Sequence, residues 1–140
     1  MGAGVRFAGY AALFERRDRG GDVIAPGAFA QSLRRRLGAG EVLPILWQHD
    51  PAQPIGTVEG IEEDARGLRV IGRLAELPGV AARAGEMLRA GAVDGLSFGY
   101  RVVEAQVAGA TRRLAALDIV EVSLVVHPMQ PMARVHAVEG

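Results

Sequence analysis

Residues 95–106 read GLSFGYRVVEAQ. Leu96, Phe98, Tyr100 and Val102 alternate with Gly95, Ser97, Gly99 and Arg101, the period of two expected of a strand with one apolar face. A Gly-x-Ser-x-Gly spacing that passed from a strand into a helix would mark the nucleophile elbow of the α/β-hydrolases. Here the residues after Gly99 are as strand-like as those before it. That fold is set aside, and the chain reads as mostly β.

Outward from this stretch the same vocabulary continues. Downstream lie the turn VAGA (107–110), then TRRLAALD, IVEVSLVV and HPMQPMARVHAVEG, rich in valine and leucine with glycine and proline between, as strands and their turns require. Upstream, PGVAARAGEMLRA (78–90) predicts a helix with proline at its start and Gly91 near its end. Before it VLPILWQHD, PIGTVEGIEED and RGLRVIGRLA predict three consecutive strands in an antiparallel meander, with Leu68, Val70, Gly72 and Leu74 alternating against Arg69, Ile71 and Arg73. Pro26 predicts a first helix over about residues 27–37, closed near Gly38, with Phe29, Leu33 and Leu37 at helical spacing. VRFAGYAALF (5–14) reads as a strand with a bulge or a close approach at its glycine. The sum is six or seven short strands and two helices. It favours a mostly β, α+β chain: an antiparallel six- to seven-stranded barrel, or strongly curled sheet, with the helices packed outside. At 140 residues the length suits one domain, 1–140, with a core of about 5–135.

The composition narrows the chemistry by what it lacks. There is no cysteine, which excludes thiol nucleophiles, disulfides and thiolate metal sites and suits a cytosolic setting. All 16 basic residues are arginine, so a serine-lysine dyad, a Schiff base and a P-loop lysine are excluded. Basic and acidic residues balance at 16 each, so no net field draws nucleic acid or an anionic membrane. The run Arg34-Arg35-Arg36 reads as a solvated helix face. The first ten residues do not form a basic and then apolar leader, and nowhere are there 18 consecutive apolar residues; the chain reads as neither secreted by a standard signal nor membrane-spanning.

The nucleophile candidates are Ser32, Ser97, Ser123, Thr57 and Thr111. Ser32 falls in the first helix beside arginines and reads as a surface residue. Ser97 points away from the apolar face, between two glycines that leave space around its hydroxyl. Two readings stand: a nucleophile that a peptide can approach, or a hydroxyl bonded to a neighbouring strand at a bulge. A serine nucleophile needs a base, and the histidines are His49, His127 and His136. His49 closes the strand VLPILWQ and opens the loop DPAQP, a position from which functional side chains project. His127 precedes a proline, and His136 lies near the chain end. A metal site on His49 and His127 has no supporting spacing. In DIVEVSLVV, Glu121 interrupts a strand too apolar to accept a lone carboxylate. It is either the partner that orients an imidazole or an edge-strand charge that discourages aggregation.

The ordered blocks GYAALFERRDRGGDVIAPGAF, ILWQHDPAQPIG, EDARGLRVIGRL, LRAGAVDGLSFGYRV and DIVEVSLVVHPMQPMARV resemble the prohead maturation protease family of tailed bacteriophages, which is related to the herpesvirus assemblins. The resemblance runs from Val5 to Val135. It implies a serine endopeptidase on a herpesvirus-protease-like barrel, free of cofactor and metal, with Ser97 as nucleophile, His49 as general base and Glu121 as third member of the triad. Its implied partners are the major capsid protein with its scaffolding segment, the protease itself, and portal and other prohead proteins. Its implied place is inside assembling proheads in the host bacterial cytoplasm. The herpesvirus relatives dimerise, which makes a homodimer the oligomer to test. Assemblins place an arginine-rich loop after the late strand to help stabilise the oxyanion. This chain has HPMQPM there, so the donors would be backbone amides or a water near Met129 and Gln130. Family members commonly extend beyond the protease core, whereas this chain stops five residues after Val135, as a minimal prophage or gene-transfer form, or one without its tail, would. The rival functions are a non-catalytic capsid-assembly or scaffold-binding factor on the same fold, and an esterase of small substrates.

Overall fold

The computed structural model describes residues 4–140. Its elements are β1 (Arg6–Leu13), β2 (Asp22–Ile24), α1 (Ala30–Gly38), β3 (Pro44–Trp47), β4 (Asp50–Glu63), β5 (Gly67–Leu74), α2 (Val80–Ala90), β6 (Gly95–Ala108), β7 (Thr111–Val125) and β8 (Val135–Glu139). The chain is mostly β with two helices, as expected, and β3, β4 and β5 form the expected antiparallel meander. β1 carries a register shift between Tyr10 and Ala12, and Gly9 lies against the Arg134 backbone, where a Cβ would stand 2.4 Å from the carbonyl oxygen.

Three expectations about the sheet need correction. The described residues form eight strands rather than six or seven, because the charged loop before Pro26 contains β2 and the C-terminal segment adds β8. The sheet is mixed rather than antiparallel: β7 runs parallel to β2 and to β3, pairings between segments too distant in sequence to be joined by a hairpin. Nor is it a closed barrel. The ladder runs open in the order β2-β7-β3-β4-β5-β1-β8, with β6 paired to β7. Residues 133–135 meet the start of β6 through the isolated bridge of Gly95 to Arg134, the bonds Leu96 N–H to Ala133 O and Val135 N–H to Asp94 O, and the Arg134–Asp94 ion pair, without forming a ladder.

The helices show how local signals and distant partners combine. α2 ends as predicted, with Gly91 at φ 73° in the left-handed conformation that closes helices. α1 begins three residues later than its proline suggested, because Gly27 takes φ 88° and residues 25–30 make two tight turns first. Its entry is capped from outside: the Glu63 carboxylate, at the end of β4, accepts the Gly27 and Phe29 N–H groups at 3.0 and 2.8 Å. A carboxylate there satisfies orphan donors and complements the helix dipole. Ser32 is buried rather than on the surface, donating to Asp118 and accepting the Ile119 N–H. Arg35 and Arg36, expected to be solvated, pair with the same Asp118. These contacts lock α1 onto β7 beside Phe29, which is fully buried against Phe98 at 5.1 Å between ring centroids.

The core under the site is made by the apolar faces of the central strands. Leu96, Ile119, Val122, Leu124 and Ile45 have no exposed surface, and each such side chain contributes about 1.5–3 kcal/mol by leaving water. This packing fixes the faces of β6 and β7. A slip of one residue would bury their polar set and expose the apolar one.

Candidate active site

In the β6–β7 register Ser97 lies opposite Ser123 and Gly99 opposite Glu121, while Leu96 and Phe98 oppose Leu124 and Val122. Ser97, Gly99, Glu121 and Ser123 therefore share one face of the sheet, with the apolar set on the other. On the far side of β7 runs β3, with Leu46 beside Ser123 and Trp47 beside Leu124. Glu121 is thus inside the sheet and not on an edge strand.

β3 returns into β4 by a two-residue turn, Gln48–His49, between the paired residues Trp47 and Asp50. Both turn residues have positive φ, 53° and 61°. A tight hairpin turn of this kind asks for such angles and normally recruits Asn, Asp or Gly; Gln and His hold them at a cost of about 1–3 kcal/mol each. The turn is tied to β7 at three points. Gln48 N–H donates to Leu124 O, Val126 N–H to Gln48 Oε1, and His49 N–H to Ser123 Oγ, at 2.9, 2.8 and 3.2 Å. The expected loop DPAQP is instead the start of β4, so His49 projects from a braced turn.

The His49 ring meets Glu121, with Nδ1 2.5 Å from Oε1. Ser123 Oγ donates to the other carboxylate oxygen, Oε2, at 2.6 Å. The Glu121 side chain is only 9% exposed, against 44% for His49. With Nδ1 engaged by a carboxylate, Nε2 is the ring nitrogen left to exchange a proton. Ser97, His49 and His127 line one cleft of about 340 Å³, with Tyr100, Asp18, Ile24, Met129 and Gln130 also on its walls. Burial, followed by the charges of Asp22 and Asp18, raises the Tyr100 phenol above its ordinary value.

The glycines around Ser97 do not leave empty space. A Cβ on Gly99 would stand 2.6 Å from Glu121 Oε1, and one on Gly95 would stand 2.4 Å from Val125 O and 2.9 Å from the Pro128 ring. Gly99 is small so that the carboxylate can lie across it. Nothing in the sequence paired these two residues, because their register is set by a hairpin whose ladder slips three times between Gly99 and Ala105.

His136, on β8, lies against Tyr10 and lines a different cleft. Among the described residues no group of three or more His, Cys, Asp or Glu is arranged to hold a metal ion. The Gln130 amide is buried and fully occupied: it accepts the Leu13 N–H and donates to Leu13 O and Arg16 O. It anchors the segment after β7 to β1 and has no donor to spare for a ligand. No helix of the described residues is long and apolar enough to cross a membrane.

The fold is similar to that of the herpesvirus proteases and of a phage capsid assembly protease. The structure aligns with the bacteriophage T4 capsid assembly protease at a TM-score of 0.72 and 15% identity, covering 89% of this chain and 84% of that one. It aligns with the KSHV protease, solved with a hexapeptide phosphonate inhibitor, at 0.64 and 14%, covering 98% and 65%. Varicella-zoster virus protease gives 0.55 and 18%, covering 96% and 64%. The chain belongs to the caudovirus prohead serine protease family, whose model matches residues 2–140. It is 32% identical over 99 residues to the prohead protease of Enterobacteria phage HK97, an alignment that covers 70% of this chain and 43% of that protein. The chain thus spans less than half the length of that curated relative.

Proposed function

We propose that this single-domain chain is a serine endopeptidase of phage head maturation that uses Ser97 as nucleophile, His49 as general base and Glu121 as the group that orients and stabilises the imidazole. The observation that carries the reading is the 2.5 Å contact of His49 Nδ1 with the buried Glu121 carboxylate beside a cleft that Ser97 also lines. Ser97 Oγ attacks the scissile carbonyl carbon as its proton passes to His49 Nε2. Glu121 offsets the charge of the imidazolium. Collapse of the tetrahedral species expels the amine, which takes that proton. Water, deprotonated by His49, then attacks the acyl-enzyme and releases Ser97. Backbone amides of the Met129–Gln130 segment, on the cleft wall, are the candidates to stabilise the oxyanion.

Family membership supports as substrate the scaffolding segment of the major capsid protein, cut inside the prohead in the host cytoplasm, with the protease itself and other prohead proteins as further proposed targets. Confinement at high local concentration would favour cleavage after assembly. The test is co-expression with the major capsid protein of the same genome, followed by the intact mass of that protein. Trimming by the wild type and none by Ser97→Ala is the expected result. Equal masses in assembled particles would replace the protease with a non-catalytic assembly factor.

A further inference from the structure

We propose that Ser123 is a positioning residue, which holds the Glu121 carboxylate and the Gln48–His49 turn in one arrangement and so presents His49 in a single tautomer. The proposal rests on the reading of Ser97, His49 and Glu121 given above. Ser123 has no exposed surface and stands two residues after Glu121 on the same face of β7. Its hydroxyl makes two contacts, to the His49 backbone nitrogen at 3.2 Å and to Glu121 Oε2 at 2.6 Å. With the 2.5 Å contact of Glu121 Oε1 and His49 Nδ1, these close a ring: His49 backbone, Ser123, Glu121, His49 imidazole.

The direction of each bond in that ring follows from one fixed point. A backbone N–H can only donate, so Ser123 Oγ accepts there and turns its own hydrogen to Oε2. A carboxylate that already accepts a hydroxyl is favoured in its ionised form. Oε1 then accepts from Nδ1–H, and Nε2 is left bare, the state a base needs. The same ring holds His49 at its positive φ, since relaxing the turn would pull the backbone N–H off Ser123. Ser123 is also the cross-strand partner of Ser97, so the residue that orders the base and the residue the base serves are fixed on one pair of strands. Gly99 faces the carboxylate from β6 and brings no charge; His49 is the titratable group that touches it.

The test compares Ser123→Ala with the wild-type chain by two readouts, one of which does not need turnover. In capsid-protein cleavage, Ser123→Ala should lower kcat by about 10- to 100-fold with little change in KM, as expected when an interaction made in the transition state is weakened. In proton NMR on a Ser97→Ala background, a low-field His49 Nδ1–H resonance, identified by its loss in His49→Ala, should broaden or vanish when Ser123 is also alanine. A folded Ser123→Ala chain with that resonance and kcat both unchanged would overturn the proposal. Should Ser123→Ala fail to fold, Ser123→Thr carries the test: it keeps the hydroxyl and should keep the resonance, and a folded threonine variant without it would overturn the proposal too. The NMR arm still decides if the wild type cleaves nothing, an outcome that would count against the protease reading alone.

Discussion

Two carboxylates stand three residues apart on β7, and the protein holds them by the same device up to one substitution. Asp118 accepts a hydrogen bond from the Ser32 hydroxyl, which accepts the backbone N–H of Ile119. Glu121 accepts one from the Ser123 hydroxyl, which accepts the backbone N–H of His49. In both cases a serine relays a backbone donor onto a largely buried acid. The difference is the cation. Asp118 faces Arg35 and Arg36, whose charge is permanent. Glu121 faces a histidine, whose ring can take up and give back a proton. Desolvation raises the Asp118 pKa, but the Ser32 bond and the two arginines outweigh it and hold the carboxyl below its ordinary range. The one pair is a fastener between α1 and the sheet; the other can pass a proton.

The largest effect should come from breaking the titratable pair. Glu121→Gln keeps the shape but allows the imidazole to turn or change tautomer, and kcat in capsid-protein cleavage should fall by about 10³–10⁴-fold. Asp118→Asn is the control on the same strand: it should destabilise the fold by about 1–3 kcal/mol in urea unfolding, since it takes the charged acceptor from Ser32 and Arg36, while leaving kcat per folded molecule unchanged. A loss of kcat from Asp118→Asn comparable with that from Glu121→Gln would erase the distinction.

Gly99→Ala sharpens it. The added methyl would meet Glu121 Oε1 at 2.6 Å with β6 backbone behind it, so the carboxylate must swing off His49. A displacement of about 1 Å in such a group costs about 10²-fold in rate, with about 1–3 kcal/mol of overpacking. Stability and kcat should both fall, and the low-field His49 proton signal should shift. A variant with normal kcat would mean that the Glu121 position is not set by the space over Gly99.

What could be read from the sequence follows the range of the interactions. The alternation of β6 as far as Gly99, the meander β3–β5 and the end of α2 are local patterns, and they appear where periodicity and Gly91 put them; beyond Gly99 the register slips, Tyr100 joins Ser97 on the cleft wall and Val102 is exposed. Ser97, His49 and Glu121 stood out because each is chemically odd in its own segment. That they belong to one site was implied by the family resemblance alone, since bringing His49 to Glu121 depends on the parallel pairing of β3 with β7, which no local period encodes. The Gln48–His49 turn carries no Asn-Gly signal, because its angles are held by bonds to β7 rather than by residue preference. Ser32 looked exposed beside three arginines for the same reason: the acid that draws it and two of those arginines inward lies 86 residues away.

The smallest effect tests how the permanent pair is shared. The Arg35 side chain is 58% exposed and touches one Asp118 oxygen at 2.6 Å. Arg36 is 18% exposed, reaches both carboxylate oxygens and also holds Glu41. Arg35→Ala should therefore cost under about 1 kcal/mol, as exposed pairs do, and Arg36→Ala about 1–3 kcal/mol, as loss of a half-buried charged donor does. Because the folded pKa of Asp118 is depressed, the contribution of the arginines is complete above the unfolded value of about 3.9 and fades as pH falls through the folded one. The gap between wild type and Arg36→Ala in urea unfolding should thus be full at pH 7 and shrink in strong acid. A gap that is the same at both pH values would mean that Arg36 acts by packing its aliphatic stem against the sheet, and that the contrast with Glu121 is one of burial and not of charge.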